Sequence, residues 1–164
     1  MTLFEPIFAA LERAGVRYVT VGGVAVVLHG HARLTADLDL AVDLAPRAAS
    51  EAIDTLTALG FRPRLLVEAS GFADPAVRQQ WITQRGMTVF SMWDPDDPLR
   101  SVDLFVDQPV DFEELWEGSL VVDIDGTPAR VASIADLIRL KRIAGRPVDL
   151  EDIAALEEIQ EHRG

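Results

Sequence analysis

Two aspartates, Asp37 and Asp39, stand at alternate positions of the run Asp37-Leu38-Asp39-Leu40-Ala41-Val42. Side chains alternate along an extended strand, so both carboxylates project to one face while Leu38 and Leu40 point into a core. Two strand rises separate their Cα atoms by roughly 6.6 Å, a spacing at which two carboxylates can close around a hard cation. Without a cation between them they repel at neutral pH. Asp103, in Val102-Asp103-Leu104, is a third acid flanked by apolar residues in a second strand. If the two strands pair side by side, three carboxylates converge. Such a cluster can hold two divalent ions, Mg2+ or Mn2+, about 3.5–4 Å apart, the arrangement used for in-line phosphoryl displacement. The alternative reading of D-x-D is the wet face of an edge strand, and Asp43, Asp107 and Asp123 show that acids at strand ends are common here.

Gly22-Gly23 follows a strand expected at Arg17–Val21 and precedes Val24–Leu28, a short helix by pattern. Glycines at that junction permit positive φ and close backbone approach of a ligand. Free N–H groups at a helix start then face an anion such as a triphosphate, although a lone Gly-Gly also serves as a plain tight turn. Arg33 and Thr35, just before the acid strand, are candidate phosphate contacts; a loop arginine is also commonly solvated. Lys141 is the only lysine among 15 basic residues. It completes an i, i+3, i+4, i+7 series with Ile134, Leu137 and Ile138, which places it on the inward stripe of a helix. Its ammonium must either snorkel or meet an anion, whether triphosphate oxygens or the carboxylate cluster itself. Arg139, Arg142 and Arg146 form the one basic concentration of the chain and could meet phosphate or offset nearby acids. His29-x-His31 could suggest a transition-metal site, but no third ligand accompanies it.

Taken together, Val21-Gly22-Gly23, Asp37-Leu38-Asp39-Leu40 and Val102-Asp103-Leu104 resemble the signature of the nucleotidyltransferase superfamily with the polymerase-β-like fold. His29–Asp37 is similar to the same stretch of small AbiEii-type bacterial members, some of which are toxins of toxin–antitoxin pairs. Leu140–Asp152 resembles their lysine-and-aspartate motif. The resemblance implies a Mg2+-dependent transfer of a nucleotide from NTP to an acceptor hydroxyl of RNA (tRNA included), protein or a small molecule, with a cognate antitoxin as partner. It implies that Asp37 and Asp39 hold both metals and that Asp103 ligates the catalytic metal and helps deprotonate the acceptor. Gly22, Gly23, Arg33, Thr35 and Asp152 would then bind nucleotide, and Lys141 would offset charge on the transferred phosphate. Asp152 is equally an acid in the first turn of a helix, where the dipole favours it. Gly23 departs from the pattern, because many members carry Ser there, and a chain this short is expected to be without the extra domains by which larger relatives recognise substrates. The competing expectation is therefore a binding module of the same fold without turnover, with a zinc hydrolase built on His29 and His31 a distant third.

The elements that must position these residues follow from pattern. A T-x-x-E capping box at Thr2 and Glu5 opens a first helix that runs to Gly15. Helices are expected at about Pro46–Leu59 and Asp74–Arg85. Met87–Trp93 and Ser101–Val106 form a hairpin around Asp94–Pro98, and Leu120–Ile124 and Ala129–Val131 form another around Asp125-Gly126. Ser133 caps a helix ended by Gly145 and Pro147, and Asp149 opens the last one. The expected fold is mixed α/β, a twisted sheet flanked by helices with two helices at the C-terminal end. At 164 residues and 49% hydrophobic, the chain is expected to be one domain over 1–164. A formal net charge of −12 argues against binding nucleic acid or anionic membrane over the whole surface. With no cysteine, disulfides and thiolate chemistry are excluded. Met1–Pro6 has no signal-peptide character and no run is long enough to span a bilayer, so a soluble, cytoplasmic protein without a membrane partner is expected.

Overall fold

The structure is a computed structural model and describes residues 3–163. A seven-stranded mixed sheet has the order β3-β4-β5-β2-β1-β7-β6. Its strands are β1 (Tyr18–Val21), β2 (Leu38–Val42), β3 (Arg62–Pro63), β4 (Val89–Asp94), β5 (Asp97–Phe105), β6 (Leu120–Ile124) and β7 (Thr127–Val131). The helices are α1 (Glu5–Arg13), α2 (Gly22–Leu28), α3 (Pro46–Ala58), α4 (Pro75–Arg85), α5 (Phe112–Gly118), α6 (Ile134–Ala144) and α7 (Pro147–Arg163), with a 3₁₀ turn at Ala69–Ala73.

Strand alternation sorts the core into two layers. Tyr18, Leu38, Leu40, Val42, Phe90, Met92, Val102 and Leu104 face one side, where α1, α3 and the Trp81 face of α4 bury them. Val19, Val21, Ala41 and Val131 face the other, under α2, α5, α6 and α7. Asp39 lies between Leu38 and Leu40, and Asp103 between Val102 and Leu104, so both acids project from this second face. β1 runs antiparallel to β2, and β2 runs parallel to β5.

Both expected hairpins form. Asp125 and Gly126 take φ of 50° and 91°, the positive values that a two-residue turn between twisted strands requires. Ser133 Oγ accepts from the Asp136 amide at 3.1 Å, capping α6. Several expectations need correction. The first strand begins at Tyr18 rather than Arg17, and Asp37 stands immediately before β2 rather than in it. The capping box does not open α1 as expected: Phe4 is its N-cap, and Glu5 Oε1 accepts instead from the Thr127 hydroxyl at 3.0 Å. Thr2 lies outside the described residues. α7 starts at Pro147, whose fixed φ suits a first helical position. Asp149 is one turn in and reaches back to the Arg146 amide at 3.0 Å, the acid half of a capping box. The short helix α5 was not expected; it buries only Phe112 and Leu115.

Candidate active site

The β2–β5 register places Asp39 directly beside Asp103. In-register neighbours on parallel strands share a face, so the two carboxylates flank one another. Asp37 joins them from the residue before β2, and all three line a groove of about 1010 Å³. The same groove is lined by Gly22, Gly23, Arg33, Thr35, Lys141, Arg146 and Asp149. The sequence-expected residues therefore meet at one place, with Asp152 set just beneath.

Burial first, then the charges of Asp103 and Asp37, push the Asp39 carboxyl up to about 7, while Lys141 and Arg146 pull it down. Burial likewise raises Asp103, against the stabilising hydrogen bond from Ser91. Ser91 Oγ donates to Asp103 Oδ1 at 2.6 Å from the neighbouring strand β4. These are three acids held in mutual repulsion, which a cation would relieve. Among the described residues no three acidic or histidine side chains already close around a common point. The donor set is nevertheless all oxygen, suited to a hard divalent ion.

Gly22 shows why no other residue serves at its position. Its φ is +68°, and an added Cβ would lie 2.8 Å from Asp39 Cγ, closer than any real contact. The glycine lets the β1–α2 turn pass against the carboxylate. Gly23 has a different constraint. A Cβ there would lie 2.7 Å from Thr35 Oγ1 and 3.4 Å from Arg33 Cζ. The space that a serine side chain would fill at residue 23 is thus occupied by the hydroxyl of Thr35. The first turn of α2 has no side-chain cap.

Lys141 is inward as its helical phase requires, with 5% exposure. Its partners are not the carboxylate cluster. Nζ lies 2.8 Å from Asp152 Oδ2 and 3.5 Å from Asp149 Oδ1. Asp152 also accepts from Arg33 Nη1, and Asp149 accepts from Arg146 Nε at 2.8 Å and Nη2 at 3.1 Å. Three cations and two anions form one connected group, of which all but Asp152 line the groove. Asp152, 1% exposed, sits behind Lys141 and Arg33 and orients both. The expected basic concentration disperses: Arg139 pairs with Glu114 and Asp136, and Arg142 with Glu157. Only Arg146 remains at the groove.

His29 is buried, and its Nε2 is 2.8 Å from the Ala132 carbonyl oxygen. Its other ring nitrogen is 3.3 Å from Arg163. This is a core histidine tying α2 to the end of β7, and the zinc reading of His29 and His31 has no third ligand among the described residues. Ser91 carries no site signal in the sequence, and Arg146 stands out there only as one of three clustered arginines that could meet phosphate. A lone serine in a strand carries no signal until the strand beside it is known.

No protein-family model matches the chain, and no curated protein matches it in sequence. Solved structures do share its fold. The lincomycin-bound lincosamide antibiotic adenylyltransferase LnuA superposes with a TM-score of 0.63 at 15% identity, over 96% of each chain. ANT(2'')-Ia in complex with adenylyl-2''-tobramycin gives 0.60 at 20% identity, over 97% of this chain and 91% of that one. A nucleotidyltransferase-like protein from Paracoccidioides brasiliensis gives 0.58 at 16% identity, over 94% of this chain and 73% of its own. The chain has the nucleotidyltransferase fold.

Proposed function

We propose that this protein is a divalent-metal-dependent nucleotidyltransferase that moves a nucleoside monophosphate from NTP to an acceptor hydroxyl. The observation that carries the reading is the register of Asp39 against Asp103, with Asp37 in the same groove and Gly22 packed against Asp39. Mg2+ or Mn2+ held by Asp37, Asp39 and Asp103 would supply charge neutralisation at the transferred phosphate. The chain's own groups divide the remaining work. Gly22 and Gly23 give the nucleotide phosphates access to backbone amides of α2, and Thr35 offers a hydroxyl where residue 23 has none. Lys141, Arg33 and Arg146 line the same groove and stabilise charge that accumulates on the phosphate oxygens.

Asp103 is the candidate proton acceptor. Ser91 occupies Oδ1, leaving Oδ2 for the incoming hydroxyl, and a raised pKa makes the carboxylate a better base near neutral pH. The acceptor oxygen bonds to the α-phosphorus, the α–β phosphoanhydride bond breaks, pyrophosphate leaves, and the hydroxyl proton passes to the carboxylate and on to solvent.

One structural neighbour is an antibiotic adenylyltransferase by name and another is in complex with adenylyl-2''-tobramycin, so a small-molecule acceptor is favoured over tRNA or protein. Incubation of the purified protein with α-labelled NTPs, Mg2+ and a panel of hydroxyl compounds tests the activity. Transfer must vanish in Asp37→Asn and Asp39→Asn; label transfer unchanged in both refutes these roles. A place in a toxin–antitoxin pair rests on the AbiEii-type resemblance. Its test is growth arrest on bacterial expression that Asp39→Asn relieves.

A further inference from the structure

A second cavity, of about 400 Å³, opens beside the groove and is lined by Arg64, Leu65, Arg85, Met87, Val89, Phe90 and Ser91. Val89 lines both spaces, and Ser91 is the residue whose hydroxyl holds Asp103. The cavity therefore adjoins the proton acceptor on the side away from Gly22-Gly23 and Lys141. That is where an acceptor must lie if the nucleotide fills the groove.

Its lining is chemically one-sided. The chain carries 27 acidic residues against 15 basic ones, yet this wall has two arginines and no acid. Neither Arg64 nor Arg85 joins any ion pair among the described residues, whereas Arg33, Lys141 and Arg146 all do. The Arg64 guanidinium lies over the Trp93 ring at 5.4 Å, and its one hydrogen bond among the described residues is a 3.4 Å contact to Ser101 Oγ. Its charge is felt at Asp103. Leu65, Met87 and Val89 supply the apolar side chains of the lining, which suits a flat or apolar body, while the Phe90 ring is buried against Phe72 and Trp81 on the other face of the sheet. Resting on the transfer reading above, we infer that this cavity is the acceptor subsite and takes a small hydroxyl compound bearing a phosphate or carboxylate group. A volume of about 400 Å³ matches a small ligand rather than a folded macromolecule, and the net charge of −12 disfavours a polynucleotide. The anionic group pairs with the two guanidiniums, the body packs on Leu65 and Met87, and the hydroxyl reaches Asp103 past Ser91. The bond changes are those of nucleotidyl transfer, with the acceptor oxygen as the new partner of the α-phosphorus.

The test is binding measured by calorimetry with phenyl phosphate and, as a body-matched cation, benzylamine. Each is titrated with and without saturating α,β-methylene-ATP and Mg2+. Phenyl phosphate is expected to bind in both conditions, and benzylamine at least tenfold more weakly. Arg64→Gln and Arg85→Gln should each weaken phenyl phosphate at least fivefold while changing the affinity for the ATP analogue less than twofold. Both positions are exposed, and unchanged melting temperatures will show that the variants fold. Equal binding of the two probes, or phenyl phosphate affinity indifferent to both substitutions, overturns the assignment. Displacement of phenyl phosphate by the ATP analogue also overturns it, since the anion then sits in the groove. Tight binding of a single-stranded oligonucleotide that depends on Arg64 and Arg85 would assign the cavity to a polynucleotide end instead. Failure of the ATP analogue to bind refutes the transfer reading separately, because the phenyl phosphate titration without nucleotide still reports on the cavity.

Discussion

Replacing Asp39 by Asn should raise the stability of the metal-free protein while removing its activity. The carboxyl is pushed from 3.8 to about 7, chiefly by burial and then by Asp103 and Asp37. A folded-state value above the unfolded one means that the group favours folding fully below pH 3.8, and that this contribution is lost as pH rises through about 7. At 1.36 kcal/mol per pKa unit, keeping the side chain ionised at pH 8 costs about 4 kcal/mol. The amide of Asn keeps the shape without the charge, but Asp37 and Asp103 still repel each other, so a gain of about 2–4 kcal/mol is expected. With an unfolding entropy of about 2.1 cal/mol/K per residue, that is a rise of roughly 6–12 °C in melting temperature. The assay is thermal unfolding in EDTA across pH 4 to 8. At pH 4 the gain should shrink to about 0.6 kcal/mol, because the wild-type carboxyl is then protonated. Added Mg2+ should stabilise the wild type and leave the variant nearly unmoved. A variant that melts at or below the wild type at pH 8, or a difference independent of pH, would refute the claim that three acids confront each other here.

Other perturbations test separate parts of the site. Gly22→Ala must displace Asp39 and strain a φ of +68°; transfer should fall at least a hundredfold and stability by about 1–3 kcal/mol, read by activity and denaturant titration. Gly23→Ser should weaken ATP-analogue binding because its Cβ meets the Thr35 hydroxyl at 2.7 Å; adding Thr35→Ala should restore binding, and a double variant no better than the single one would disprove the exchange of hydroxyls. Thr20 is fully buried with a hydroxyl that has no partner among the described residues, so Thr20→Val should stabilise by about 1 kcal/mol in urea. Burial holds His29 below its ordinary 6.5, so its contribution is complete above pH 6.5 and declines as pH falls. His29→Gln should flatten the wild-type loss of urea stability between pH 7 and pH 5.

Much of the site was legible because strand periodicity is local. Alternation alone separated Asp39 and Asp103 from Leu38, Leu40, Val102 and Leu104, and helical phase alone turned Lys141 inward. What Lys141 meets could not be read that way. Asp149 and Asp152 lie on the following helix, and only the α6–α7 packing brings them against its ammonium. The cavity of Arg64, Arg85 and Ser91 was invisible for the same reason, since three separate elements supply its wall. α5 escaped notice because seven residues with two apolar anchors give little periodic signal. Arg139, Arg142 and Arg146 read as a cluster by spacing, yet each finds a different acid once the helices pack.

The segment between α2 and β2 carries Arg33 and Thr35 but no regular secondary structure. Its shape is borrowed from α7, which grips it twice: Asp152 takes Arg33, and Arg163 donates to the His29 carbonyl at 2.9 Å. The last helix thus works as a splint for the nucleotide wall, although Asp152 never lines the groove. Loosening that splint anywhere along its length should slacken phosphate grip before it unfolds the sheet.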